Sequence, residues 1–214
     1  MPPAAKHQYC VGSAGFEPSA VAGDDALQTQ IDKLLKNDDL LGANRVLFKL
    51  PNDGRDVADI GSGNGYWTYM LRAYGLRSHP VDNMQSAWRV SWVDDTVISD
   101  GVKWLKQHEN GKQMVLLLVY PVVGGGTGGG TEGAFTKGLV NAYGGDTIAV
   151  VGTQNRNGYT GFKDKTMAEY MEREQPRWTK VVQIALPSFC GKDEALFVYQ
   201  RGDRAVNLGA GSGQ

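Results

Sequence analysis

The chain has 214 residues, a formal net charge of −1 and a sequence pI near 6.3. Hydrophobic residues make up 41% and charged residues 21%, a balance that excludes a wholly disordered chain, and the absence of a Lys/Arg block excludes a general electrostatic grip on long nucleic acid. Glycine is the outlier at 29 residues, roughly double ordinary usage, with no three-residue period that would mark collagen.

Residues 1–23, rich in Pro and Gly, read as a flexible arm. Asp24 can cap a helix carrying Leu27, Ile31, Leu34 and Leu35 at helical spacing, and a second helical piece carries Leu40, Leu41, Val46, Leu47 and Leu50. Asp56 to Ile60 reads as a short buried strand, and residues 66–74 as a helix capped by Gly75. His79 to Asp82 is a weak second strand, 84–92 a helix with Trp88 and Trp92, and Thr96 to Ile98 a third strand. Val102, Trp104 and Leu105 mark a short helix.

Met114 to Tyr120 is the strongest strand, its unbroken apolar run fitting a parallel strand covered on both faces. A glycine-rich loop at 124–133 follows, then a helix with Phe135, Leu139, Val140 and Tyr143 that ends at Gly144. Thr147 to Gly152 is the fifth strand. Thr166 and Glu169 form a capping box for a helix reaching Glu174. Trp178 to Leu186 and Ala195 to Arg201 close the chain as an antiparallel pair, because no long helix separates them. Strands alternating with helices predict a parallel α/β sheet in one domain, 24–201, followed by a flexible tail at 202–214.

Chemistry is signalled at Asp59-Ile60-Gly61-Ser62-Gly63-Asn64-Gly65, between the first strand and its helix. Glycines there permit a sharp turn and close approach of a ligand to bare backbone. A phosphate-cradling P-loop would end in Gly-Lys-Ser/Thr, but Tyr66 and Trp67 follow Gly65. A dinucleotide fingerprint would carry glycine at the position held by Tyr66. A third pattern is acidic-x-Gly-x-Gly-x-Gly, and on it the chain resembles the class I S-adenosylmethionine-dependent methyltransferases over roughly residues 45–200.

That resemblance implies a Rossmann-like, doubly wound α/β fold, with a seven-stranded sheet that is mostly parallel and has an antiparallel C-terminal strand. It implies S-adenosylmethionine as cofactor, held by Asp59, Gly61, Ser62, Gly63, Asn64 and Gly65. Asp82, with Asn83 beside it, stands at the second strand's end, where a carboxylate can accept two hydrogen bonds from a ribose diol. Asp100 and Gly101 stand where an acid faces the adenine amino group; Asp100 is equally suited to capping the following helix.

Ligands of parallel sheets bind at the strands' C-terminal ends, which nominates Tyr120 and Pro121, then Thr153, Gln154, Asn155 and Arg156. Tyr120, Asn155 and Arg156 are the acceptor-site candidates. Some amino-group methyltransferases place Asn or Asp before Pro-Pro-aromatic here; Val119 occupies that polar position, which argues against methylation of nucleic-acid base amines. His7, His79 and His108 are candidate bases, each equally readable as a surface or capping residue. Methyl transfer is an alignment problem and requires no metal, and no metal-ligand spacing is visible.

A small-molecule acceptor is favoured, with protein or RNA as alternatives. The rival readings are a catalytically silent cofactor- or partner-binding relative and an NAD(P)-dependent oxidoreductase. Cys10 and Cys190 lack disulfide or metal spacing. No leader or membrane span is evident, so the expectation is a reduced, cytoplasmic protein.

Overall fold

The computed structural model describes residues 54–84, 91–124, 130–186 and 193–206. The expectations for the arm, for the helices between 24 and 50, for the middle of the glycine-rich loop, for His7, Trp88, Cys10 and Cys190 and for most of the tail lie outside these residues.

The elements run β1 (Asp56–Ile60), α1 (Tyr66–Ala73), β2 (Ser78–Asp82), β3 (Val97–Ile98), α2 (Gly101–Gln107), a 3-10 turn (Glu109–Gly111), β4 (Met114–Val119), α3 (Ala134–Ala142), β5 (Thr147–Thr153), α4 (Met167–Glu174), β6 (Thr179–Ala185), β7 (Glu194–Gln200) and α5 (Asp203–Val206). They form one seven-stranded sheet in the order β3-β2-β1-β4-β5-β7-β6. β1 to β5 are parallel neighbours, and β7 is antiparallel to both β5 and β6. The sheet is Rossmann-like, seven-stranded and mostly parallel.

The chain moves outward from β1 through β2 to β3, then returns to β4 on the other side of β1. β1 and β4 therefore flank the topological switch point, the crevice where open α/β sheets bind ligands. The register pairs Asp59 with Leu117, so the glycine loop leaves β1 beside the end of β4.

β4 reads as a continuous apolar run because alternate residues are buried on opposite faces. Leu116 and Leu118 join Ala58, Ile60, Ile148, Val150, Phe197 and Tyr199 under α2, α3 and α4, which contribute Trp104, Leu139 and Tyr170. Val115 and Leu117 join Val57, Ala149, Val151, Leu196 and Val198 on the other face, with Leu71 of α1. Pro80 fits inside β2 because β3 pairs only with the two residues after it, Val81 and Asp82. β6 is the half-exposed edge strand, with an exposed lysine beside a pairing irregularity at Lys180/Val182 that blunts it.

Local signals end the helices as the sequence leads one to expect. Gly75 takes φ 81° after α1, and its N–H donates to Arg72 O at 2.9 Å. At α4, Thr166 Oγ1 accepts from the Glu169 N–H, and the Glu169 carboxylate accepts from the Thr166 N–H, so both halves of the capping box are made.

Candidate functional site

Gly61, Gly63 and Gly65 all adopt the left-handed region, with φ of 75°, 59° and 77°. Beyond that shared demand their reasons differ. A side chain on Gly61 would meet the Phe135 ring at 2.9 Å, and one on Gly65 would run into Val93. Nothing lies within 4 Å of where a Cβ on Gly63 would sit. Gly61 and Gly65 let neighbours pack against the loop, whereas Gly63 leaves its own surface open.

The loop is held from β2. The Gly61 and Ser62 N–H groups both donate to Val81 O, at 2.7 and 3.1 Å. Asp82, 6% exposed, accepts from the Gly63 N–H through Oδ2 at 2.9 Å and from the Met84 N–H through Oδ1 at 2.7 Å.

Asp59 sits beneath the loop, fully buried. Its Oδ2 accepts from Thr68 Oγ1, in the first turn of α1, at 2.7 Å. Thr68 Oγ1 in turn lies 3.1 Å from Ser78 Oγ. Burial pushes the Asp59 carboxyl up to about 6; the Thr68 bonds oppose this and the nearby charge of Asp82 adds to it. Asp59 Oδ1 and Ser62 Oγ are buried without a hydrogen-bond partner.

Two donors at the start of α1 are used internally. Gly65 N–H donates to Ser62 O, and Tyr66 N–H to Asn64 Oδ1. A pyrophosphate requires such donors free and positive potential. The carboxylate of Asp82 stands at the loop, with that of Asp59 buried beneath it, and this negative charge favours a ligand carrying positive charge.

Asp100 caps α2, its Oδ1 accepting from the Lys103 N–H at 2.8 Å. Gly101 is a close-packing position: a Cβ there would strike Ile60 and Leu139. Asn83 follows Asp82 at the exposed end of β2.

At the end of β4, Tyr120 adopts φ 47°, an uncommon conformation for a residue with a side chain. Its hydroxyl donates to Glu194 Oε2 at 3.2 Å, across the ends of β5 and β7. Burial, then the charge of Glu194, hold the Tyr120 hydroxyl well above its usual pKa, so it is a neutral donor rather than a base. Glu194, buried at the start of β7, had no sequence signal. Asn155 forms a turn, its Oδ1 accepting from the Asn157 N–H at 3.2 Å. Arg156 is committed to Glu169, with Nε 3.0 Å from Oε2 and a second bond from its terminal nitrogen to Oε1. That pairing holds the Glu169 carboxyl down to about 2.

The described histidines stand away from the loop. His79 Nε2 lies 2.7 Å from Asp56 Oδ2, towards the start of β1. His108 stacks on Trp104, with its Nδ1 2.8 Å from Trp104 O, at the end of α2. No helix among the described residues is long and apolar enough to cross a membrane.

No protein-family model matches the chain, and no curated protein matches it in sequence. Solved structures are similar to it at low identity. One is an S-adenosylmethionine-dependent methyltransferase from Anabaena variabilis, 12% identical over 83% of this chain and 94% of that one, with a TM-score of 0.48. Another is magnesium protoporphyrin IX methyltransferase from Synechocystis with bound S-adenosylmethionine, 13% identical over 86% of this chain and 100% of that one, with a TM-score of 0.49. A third is a protein of the NADB-Rossmann superfamily from Streptococcus agalactiae, 10% identical over 70% of this chain and 63% of that one, with a TM-score of 0.43.

Proposed function

We propose that the protein is an S-adenosylmethionine-dependent methyltransferase. The observation that carries this reading is the glycine loop at the switch point: Asp82 and Val81 hold it, and Gly63 lies open. That combination suits a ligand with a ribose diol and a cationic centre. The residues present fit the cofactor on their own terms. Ser62 Oγ is a buried polar atom without a partner, and the surface of Gly63 admits close approach.

In this reading Asp82 receives the ribose hydroxyls and fixes the loop. Asp59 positions the loop from below through Thr68. Asp100 and Gly101 shape the neighbouring β3–α2 turn. When bound, the cofactor supplies a methyl group on a cationic sulfur, and the protein's work is to align it with a nucleophile.

The acceptor lies over the ends of β4, β5 and β7, where Tyr120 presents its ring and donates to Glu194. A small-molecule acceptor is the favoured class. Asn155 forms its turn beside this surface, and Arg156 ties the same loop to α4. The silent, binding-only reading and the oxidoreductase reading are separated by the same measurement: calorimetric titration with S-adenosylmethionine, its demethylated product and NAD, followed by an acceptor screen. Binding of the first two with turnover supports the proposal, and selective NAD binding overturns it.

A further inference from the structure

On the flank of α1 lies a concavity of about 570 Å³ between α1 and residues 91–94. Trp92 forms one wall and is 51% exposed. Tyr66 meets its ring edge-on, with centroids 5.3 Å apart, and Tyr69 tilts against it at 5.5 Å. This small aromatic cluster keeps ring surface open to solvent, Tyr69 being 47% exposed.

The charges around it are unequal. Arg72 is neutralised by Asp95, which accepts from both terminal nitrogens, at 2.8 and 2.7 Å. Asp94, also lining the concavity, acts on Arg72 by its charge as well. Arg72, Asp94 and Asp95 together carry one net negative charge beside exposed aromatic rings.

We propose that this concavity binds a small organic cation, a quaternary ammonium or alkylated amine group, with Trp92 and Tyr69 supplying ring faces and Asp94 the countercharge. Aromatic faces attract cations through their negative quadrupole, and a weakly hydrated ammonium loses little on entering. The spent guanidinium of Arg72 adds no net repulsion. The wall is fixed rather than loose: the Trp92 N–H donates to Asn64 O at 2.8 Å, and Val93 packs on Gly65. An occupant would thus rest against the outer side of the glycine loop, and the site stands whether or not the methyltransferase reading holds.

The test is chemical-shift mapping on the isotope-labelled full chain, titrated with choline and, in parallel, with its neutral isostere 3,3-dimethyl-1-butanol at matched ionic strength. Saturable shifts at Trp92, Val93 and Asp94 with choline alone are the expected result. Asp94→Asn, an exposed and conservative change, should weaken choline binding by about fivefold. Equal responses to choline and the isostere would show an apolar surface without cation recognition and overturn the proposal. So would no response to choline, or an Asp94→Asn variant that binds it unchanged.

Discussion

Asp82 Oδ2 accepts the Gly63 N–H at 2.9 Å, so the end of β2 holds the middle of the loop that leaves β1. The same carboxylate takes the Met84 N–H through its other oxygen. One acid thereby fixes the shape of the turn beside the open face of Gly63.

Asp82→Ala removes both backbone bonds and the proposed ribose contact. Binding of S-adenosylhomocysteine should weaken by about 2–4 kcal/mol. Calorimetry on a variant shown to be folded by circular dichroism checks this; wild-type affinity would remove Asp82 from the cofactor site.

Gly63→Ala and Gly65→Ala should separate binding from folding. Alanine at 63 meets no neighbour and incurs only the left-handed cost, about 1–2 kcal/mol of stability, while cofactor affinity falls by about tenfold or more because the bare backbone is covered. Alanine at 65 carries that cost and also collides with Val93, giving a loss of about 2–5 kcal/mol. Urea melts and cofactor titrations on both variants read the two effects. Equal stability losses at the two sites would contradict the packing assigned to Val93.

Asp59 sets a pH dependence. Its folded pKa is raised to about 6 from 3.8, so between those values the native state holds more proton than the unfolded chain. Stability from this group therefore falls as pH rises through that window, by on the order of 3 kcal/mol in full. Asp59→Asn keeps an acceptor for Thr68 and lacks the titration. Relative to the wild type, the variant should gain stability between pH 4 and pH 7, which urea melts at the two pH values measure. A constant difference would show that Asp59 does not titrate there.

Arg156→Ala should leave cofactor affinity unchanged, because the guanidinium is engaged with Glu169 rather than with the glycine loop. The cap that Glu169 shares with Thr166 survives it. Thr166→Ala, by contrast, should cost about 1 kcal/mol of stability. Loss of affinity in the arginine variant would place Arg156 in the site.

What the sequence made legible was local or periodic. The unbroken run from Met114 identified a doubly covered strand, Thr166 with Glu169 identified a helix start, and the glycines after Ile60 located the loop. What escaped it was nonlocal. Nothing near Glu194 signals that it receives the hydroxyl of Tyr120, 74 residues earlier. The insertion of β7 between β5 and β6 depends on pairings no local pattern encodes. Asp100 suited two roles equally, and only the Lys103 bond shows the cap; Gly101 follows an acid in a motif-like pair, yet its demand for space comes from Ile60 and Leu139. Arg156 reads as an anion binder until Glu169 is seen beside it.

Isothermal titration of the full chain with S-adenosylhomocysteine and, separately, with NAD distinguishes a loop that holds S-adenosylmethionine from one that holds a dinucleotide. Saturable one-to-one binding of the first and none of the second is expected. Binding of NAD with no response to S-adenosylhomocysteine would overturn the proposed function.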